Sequence, residues 1–477
     1  MAHIEVPVTS SEASTANRIP RWWRFMTLTR DDWLVIRWLA PLAFLHTLIY
    51  VFLVPPWQHY DEPGHFLYTA YIIRGGITEP DDVAIAREVA DSMYRHRFWS
   101  PGVKPDLLSP LPPGIPTDQR QHPPFYYGMM AWLLGPLRYL PVEHQLYAGR
   151  IISAFLMTLT VVTVWRAGCI VFPNAPQMAV ILALFVATIP AFADLMSAFN
   201  SDVLMNFAAA TAFLGFAILI RDGWRLTGLG LAILGTMVAV LTKRTAMPLL
   251  IPLILALIWS FWRRPLRWWV YLAGSIAFTS VLLMVSFTFD SKGLHSRPWL
   301  AMVEQEYLRI KIVPWLLSWG NWEQAWPWYR RTLEIAHNHF WVRLAWGHIA
   351  VWPPVGDWFF AGLSVAAIGG LLRGIWQRTL LTPGWQSRWL WLCVIAVVVA
   401  WIALFGRLHP LGDRTPYIPR GRYLYWAMLP AMWLLMVGWQ QLWPKQWRRL
   451  AAYILLITTR VFDLIAMLTL VRFYYMV

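Results

Sequence analysis

Asp61 and Glu62 stand side by side in the stretch Pro55-Pro56-Trp57-Gln58-His59-Tyr60-Asp61-Glu62-Pro63-Gly64-His65, directly after the first long hydrophobic run. A carboxylate placed there can act as a general base, taking the proton of a hydroxyl as that hydroxyl attacks an activated carbon. With His59 or His65 nearby it could instead help to hold a divalent cation. The same residues also make a sound helix start, Asp61 as N-cap with Pro63 and Gly64 in the opening turn. Base, ligand and cap all remain open on residue type alone. At a bilayer surface, such a pair could meet a lipid-linked substrate and a water-borne one together.

Two cationic groups fall where a membrane protein would not be expected to put them. Lys243 and Arg244 occupy a tight turn at 242–246, and Arg420-Gly421-Arg422-Tyr423 closes the segment 406–420. Long basic side chains at helix ends can simply reach for lipid headgroups. They can also form a phosphate clamp, in which preorganised Arg and Lys groups stabilise charge on a departing phosphate. The expected topology puts both groups on the same side as Asp61, against the charge bias, and this favours the clamp.

Other polar groups are candidates for lining a substrate cavity. His122-Pro123-Pro124-Phe125-Tyr126-Tyr127 reads as a Pro-started interfacial helix, with His122 and Tyr126 as its polar members. Asn200-Ser201-Asp202 opens a helix, and capping explains it well. Asp194 lies inside an apolar run, where an acid is costly and usually faces a cavity. Asp463 is similar, although a polar contact between helices would explain it equally. Trp315, Trp319, Trp322, Trp326, Trp328, Trp341, Trp346 and Trp352 could stack on sugars, but interfacial anchoring is the simpler account for most of them. His337-Asn338-His339 is a weak signal, without tight metal-ligand spacing. No phosphate loop, nucleotide fingerprint or zinc motif is present in the sequence.

The elements that must position these groups are membrane helices. Of 477 residues, 58% are hydrophobic and only 14% charged. Repeated apolar runs have the length, about 20 residues, needed to cross a hydrocarbon core. Backbone groups in lipid must be satisfied internally, so the runs are helices. Spans are expected at 33–54, 146–171, 178–198, 201–220, 226–242, 245–262, 268–289, 350–372, 388–405, 421–440 and 450–471, about eleven in all. The first is too long for a removable signal and has no cleavage site after it, so it reads as an anchor. With the N-terminus inside and the C-terminus outside, Arg and Lys clusters alternate as the positive-inside bias requires.

Two outer segments, 55–145 and 290–349, are long. The first should contain helices from Glu62 to Arg74 and from Phe125 to Leu140. A basic and aromatic cytoplasmic leader, 1–32, precedes a single transmembrane domain, 33–477, and no soluble domain is expected after the last span. The excess of 40 Lys and Arg over 25 Asp and Glu serves orientation in the membrane, and nucleic acid is not an expected partner. Only two cysteines occur, Cys169 and Cys393, both in expected spans, so no disulfide framework holds the outer loops.

In this arrangement the chain resembles the GT-C membrane glycosyltransferases, and more closely a bacterial branch of that clan known mainly as predicted membrane proteins of unknown function. The resemblance rests on Tyr60-Asp61-Glu62-Pro63-Gly64-His65-Phe66, the His122–Tyr127 element, Arg150-Ile151-Ile152-Ser153, Asn200-Ser201-Asp202, Leu241-Thr242-Lys243-Arg244-Thr245, the Phe340-Trp341 to Pro353-Pro354 stretch and Gly421-Arg422-Tyr423-Leu424. These run in order over nearly the whole chain. The resemblance implies an all-α polytopic membrane fold and a sugar donor carried on a polyprenyl phosphate. It implies Asp61 as catalytic base with Glu62 beside it, and Lys243, Arg420 and Arg422 near the donor phosphate. Val342-Arg343-Leu344-Ala345-Trp346 departs from the small residues expected between aromatics there.

The resulting expectation is an inverting glycosyltransferase in the cytoplasmic membrane, its site facing outward, with membrane lipid and a lipid-linked donor as partners. The acceptor, whether glycan, lipid or protein, stays open, as does a divalent cation. The alternative is a non-catalytic protein that binds or moves a lipid-linked glycan, or an accessory subunit of a membrane complex. Geometry separates the two, because a base must face the same cavity as the cations.

Overall fold

A computed structural model describes residues 29–75, 79–98, 119–261, 320, 322–381, 384–406 and 420–476. The expected span 268–289 and residues 290–319 of the second long outer segment lie outside these residues.

The first span, α1 (Arg30–Leu53), starts where Thr29 and Asp32 form a reciprocal capping box. Trp38, Leu42 and Leu45 stand exposed on its outward face, as lipid-facing side chains do. Beyond the segment 54–61 come α2 (Glu62–Ile73) and α3 (Glu79–Arg95), then α4 (Phe125–Leu134). The expected helix to Leu140 therefore ends early, passing through a 3-10 turn, Gly135–Leu137, with Pro136 in it. Next come α5 (Val142–Val171), α6 (Pro176–Ala187), α7 (Pro190–Met196), α8 (Ser201–Asp222) and α9 (Leu226–Thr242). A 3-10 turn, Arg244–Leu249, leads into α10 (Leu250–Phe261).

The rest comprises α11 (Trp322–Trp341), a small antiparallel hairpin of β1 (Arg343–Leu344) and β2 (Ile349–Ala350), then α12 (Val355–Trp376) and α13 (Trp385–Gly406). A 3-10 segment, Gly421–Ala427, precedes α14 (Met428–Gln441), and α15 (Arg448–Tyr475) follows. The all-α polytopic membrane fold is thus present. Among the described residues seven helices are long and apolar enough to cross a membrane, or eight if α6 and α7 form one span.

That pair is the main departure from the expected run 178–198. It bends by 72°, because Pro190 cannot continue the hydrogen-bond ladder from α6. The break carries Asp194 and Ser197 into the protein interior, where both are fully buried. A second departure is the expected span 421–440, whose first turns are 3-10.

Small residues set the closest helix contacts, as packing within lipid favours. A Cβ on Gly215 would lie 2.3 Å from the Ala232 nitrogen, and one on Gly235 would lie 2.5 Å from the Ala212 nitrogen, so α8 and α9 touch backbone to backbone. Gly370 and Gly438 do the same for α12 and α14. A separate apolar cluster forms beneath α2, α3 and α4, built on Trp57, Phe66, Tyr68, Met93, Tyr126 and Phe199. It makes the segment 57–62 a fixed shelf.

Candidate functional site

Asp61 sits on that shelf with a left-handed backbone, φ 52°, and its side chain makes no capping hydrogen bond. Asp is among the few non-glycine residues that enter this region readily. The carboxylate is instead turned to Arg422, which pairs with it through Nη2. Of the readings left open for Asp61, side-chain capping is the one the geometry does not use.

Arg422 belongs to a longer chain of charges. Its Nη1 lies 3.9 Å from Asp202 Oδ2, and Lys243 Nζ is 2.7 Å from Asp202 Oδ1. Asp61, Arg422, Asp202 and Lys243 therefore alternate in sign across four separate elements. Asp202 is placed by the opening of α8, where Asn200 accepts from the Asp202 N–H at 2.9 Å and donates to the Tyr60 carbonyl at 2.8 Å. One asparagine thus caps a helix and ties it to the residue before Asp61. Lys243 is 2% exposed and Arg422 6%.

Arg420 joins this group through an aromatic ring. Its guanidinium lies 4.9 Å from the Tyr60 centroid and 5.9 Å from that of Trp346. Arg422 lies 4.8 Å from the same Tyr60 ring and 5.5 Å from Tyr423. Three buried guanidinium nitrogens here, Nη1 of Arg420 and Nε and Nη1 of Arg422, make no hydrogen bond among the described residues. Unpaired donors on such cations suit an incoming anion. Arg244 is buried at the start of its 3-10 turn, next to Lys243 in sequence.

Electrostatics around Asp61 follow from this crowd of cations. Burial alone would raise its carboxyl, but Arg422 and then Arg420 outweigh burial and hold it well below the usual carboxylate range. Burial lowers the Lys243 ammonium from its ordinary value, with Asp202 working against the shift. His65 is also pushed well down, by burial and by Lys243, so its ring is neutral.

Glu62 is differently placed. It is wholly buried, and its carboxylate accepts from Arg150 Nε at 2.8 Å and Nη2 at 2.6 Å, from the Trp57 N–H at 3.0 Å and from the Phe199 N–H at 3.1 Å. Arg150 also donates to the carbonyls of Val51, Val54 and Pro55. Four accepted bonds use the carboxylate fully. Glu62 and Arg150 fasten the end of α1, the start of α2 and α5 together, and so hold the shelf.

The remaining candidates divide between that scaffold and the site. His59 Nδ1 lies 3.0 Å from Asp194 Oδ1, and Asp194 Oδ2 accepts from the Ala345 N–H at 2.7 Å. Asp194 thus anchors both the shelf and the hairpin that carries Trp346. His65 Nδ1 is 2.7 Å from the Tyr127 hydroxyl, and its ring stacks on His122 at 6.2 Å. Tyr126 is buried against Phe199 and Tyr127 in the apolar cluster. Among the described residues no three His, Cys, Asp or Glu side chains gather as a metal site would.

Residues 121–287 match the family model described as dolichyl-phosphate-mannose-protein mannosyltransferase. That family is one of the GT-C superfamily, so the match bears out the GT-C resemblance over residues 121–287. The matched stretch contains Asp194, Asn200, Asp202, Lys243 and Arg244. Asp61, Arg420 and Arg422 lie outside it and reach it through the contacts just given. The match supports a multi-pass membrane glycosyltransferase of the GT-C type that uses a sugar on a polyprenyl phosphate. No curated protein and no solved structure matches the chain significantly.

Arg150 and Tyr60 are residues of the site and its frame that sequence reasoning did not single out. Arg150 appeared only as the opening of a motif, and its partner Glu62 is 88 positions away. Tyr60 lay inside a quoted motif, but nothing in its type separated it from the many aromatics of the chain.

Proposed function

We propose that this chain is an inverting glycosyltransferase that moves a sugar from a polyprenyl phosphate to an acceptor hydroxyl at the outer face of the cytoplasmic membrane. The observation that carries the reading is the buried charge chain Asp61–Arg422–Asp202–Lys243, with unpartnered guanidinium N–H groups beside it. A base and a phosphate site thus share one place.

In the proposed reaction the acceptor oxygen attacks the anomeric carbon from the face opposite the phosphate. Its proton passes to the Asp61 carboxylate, and the bond from the anomeric carbon to the phosphate oxygen breaks. The electron pair leaves with the polyprenyl phosphate. Positive charge develops at the sugar, as in other glycosyl transfers. The leaving phosphate gains negative charge, which Arg420, Arg422 and Lys243 stabilise where water is largely excluded. Asp202 keeps Lys243 and Arg422 in register, and Glu62 acts on the shelf rather than on substrate.

The test is transfer from short-chain polyprenyl-phosphate sugars by the wild type and by Asp61→Asn in nanodiscs. A mannosyl donor comes first in the panel, following the description of the matched family. Loss of transfer by orders of magnitude in Asp61→Asn, with donor binding kept, supports the base. Donor binding without transfer in either protein would replace the enzyme by a carrier or accessory subunit.

A further inference from the structure

Arg420 and Arg422 are like charges held round one ring. Each guanidinium lies within 5 Å of the Tyr60 centroid, so their separation cannot exceed those two distances laid end to end. Among the described residues Arg422 pairs with a carboxylate, Asp61, while Arg420 lies over aromatic rings, Tyr60 and Trp346. Two cations brought this close repel, and something must compensate. An aromatic face does so through its quadrupole, and more strongly away from water.

Tyr60 is well held for such a task. It is 4% exposed, its carbonyl accepts from Asn200, and its hydroxyl lies 3.5 Å from His339 Nδ1. Burial, Arg420 and other nearby cations push His339 down to about 4, so the imidazole is neutral and adds no further charge. Gly347, at φ 88°, packs against both, since a Cβ there would meet His339 Cε1 at 2.3 Å and the Tyr60 hydroxyl at 2.9 Å. The ring has little freedom to turn away.

We propose that Tyr60 is a positioning residue whose ring gathers the Arg420 and Arg422 guanidiniums into a single anion site and leaves their unpartnered N–H groups for the phosphate of a lipid-linked donor. The proposal rests on the reading of these arginines as phosphate-binding groups. It goes beyond that reading by assigning their alignment to one aromatic ring. Asp61, the next residue, is thereby fixed relative to the phosphate by the same short stretch of backbone.

The experiment replaces Tyr60 in the full chain with Phe and with mono-, di- and trifluorinated phenylalanine, and measures the affinity for farnesyl phosphate in nanodiscs. These rings have nearly the same shape, so folding is not at issue, but each fluorine weakens the face that attracts cations. Tyr60→Phe should bind within about twofold of the wild type, and the series should then fall stepwise by about tenfold in total. Tyr60→Leu should lose at least as much. A flat fluorination series, with the wild type binding farnesyl phosphate, would overturn the role of Tyr60 alone. If the wild type fails to bind farnesyl phosphate, the phosphate reading of the arginines falls as well. Transfer by Asp61→Asn is a separate measurement and does not enter either outcome.

Discussion

Asp61 and Arg422 are joined by an ion pair across 361 positions of sequence, and the pairing guanidinium also reaches toward Asp202. A base bound to a cation is a weak base. A donor phosphate drawing Arg422 to itself would loosen that pair and raise the proton affinity of Asp61 at the moment an acceptor needs it.

This arrangement fixes the direction of a pH effect. The free wild type keeps Asp61 ionised to well below the ordinary carboxylate range, so the acid limb of kcat/KM should lie below about pH 4. In Arg422→Gln the burial of Asp61 remains while its strongest partner is gone, and the limb should move to higher pH. The position of the limb is read here and not its height. An unmoved limb would rule out Arg422 as the group that lowers Asp61.

Glu62 and Arg150 should behave as structure. Glu62→Gln or Arg150→Met each leaves a buried charge without its partner and should lower stability by about 3–5 kcal/mol. The double change should lose clearly less than the sum of the two. Thermal unfolding of the four proteins in detergent gives the comparison. Full stability with selective loss of transfer in Glu62→Gln would return Glu62 to the chemistry.

Gly421 is the hinge between the two arginines. A Cβ there would lie 2.2 Å from the Phe340 nitrogen and 2.5 Å from the Ala336 carbonyl oxygen, both backbone. Gly421→Ala must push the 3-10 segment off α11, at about 1–3 kcal/mol. Because Arg420 and Arg422 move with it, the affinity for a polyprenyl phosphate should drop by more than the loss of stability explains. A variant that unfolds earlier yet binds normally would show that the spacing of the arginines is not set there.

Lys243 and Asp202 form a buried pair at 2.7 Å. Lys243→Met alone strands the Asp202 carboxylate beside Arg422 and should be less stable than Lys243→Met combined with Asp202→Asn. Both should bind donor phosphate poorly. Equal stability of single and double variants would mean that the pair is not coupled.

Much of the frame could be read from residue order, and the reasons for what could not are physical. Apolar runs of membrane length mark most of the helices, since nothing else survives in lipid. The 72° break between α6 and α7 had its signal in Pro190, but an apolar count over 178–198 passes through a proline unmarked. Lys243 and Arg422 stood out because they lay where the charge bias does not put cations. Glu62 could not be told from Asp61 by type or by spacing. Only the fold, by bringing Arg150 to one and Arg422 to the other, separates a saturated carboxylate from one that faces the site. Tyr60 was hidden by abundance, for a chain with 18 Tyr and 33 Trp offers an anchoring explanation for every ring.

The alternation of Asp61, Arg422, Asp202 and Lys243 has a consequence for what can enter. These four charges cancel and leave Arg420 as the excess cation, so a small anion dissolved in the surrounding water is drawn by little net charge. Its own charge is all it brings to the unpartnered N–H groups. A phosphate on a hydrocarbon tail brings a second contribution, about 0.8 kcal/mol for each methylene kept out of water, and it is already confined to the plane of the membrane. On the proposed reading, the balanced chain admits anions by the company they keep, favouring tethered ones over free ones.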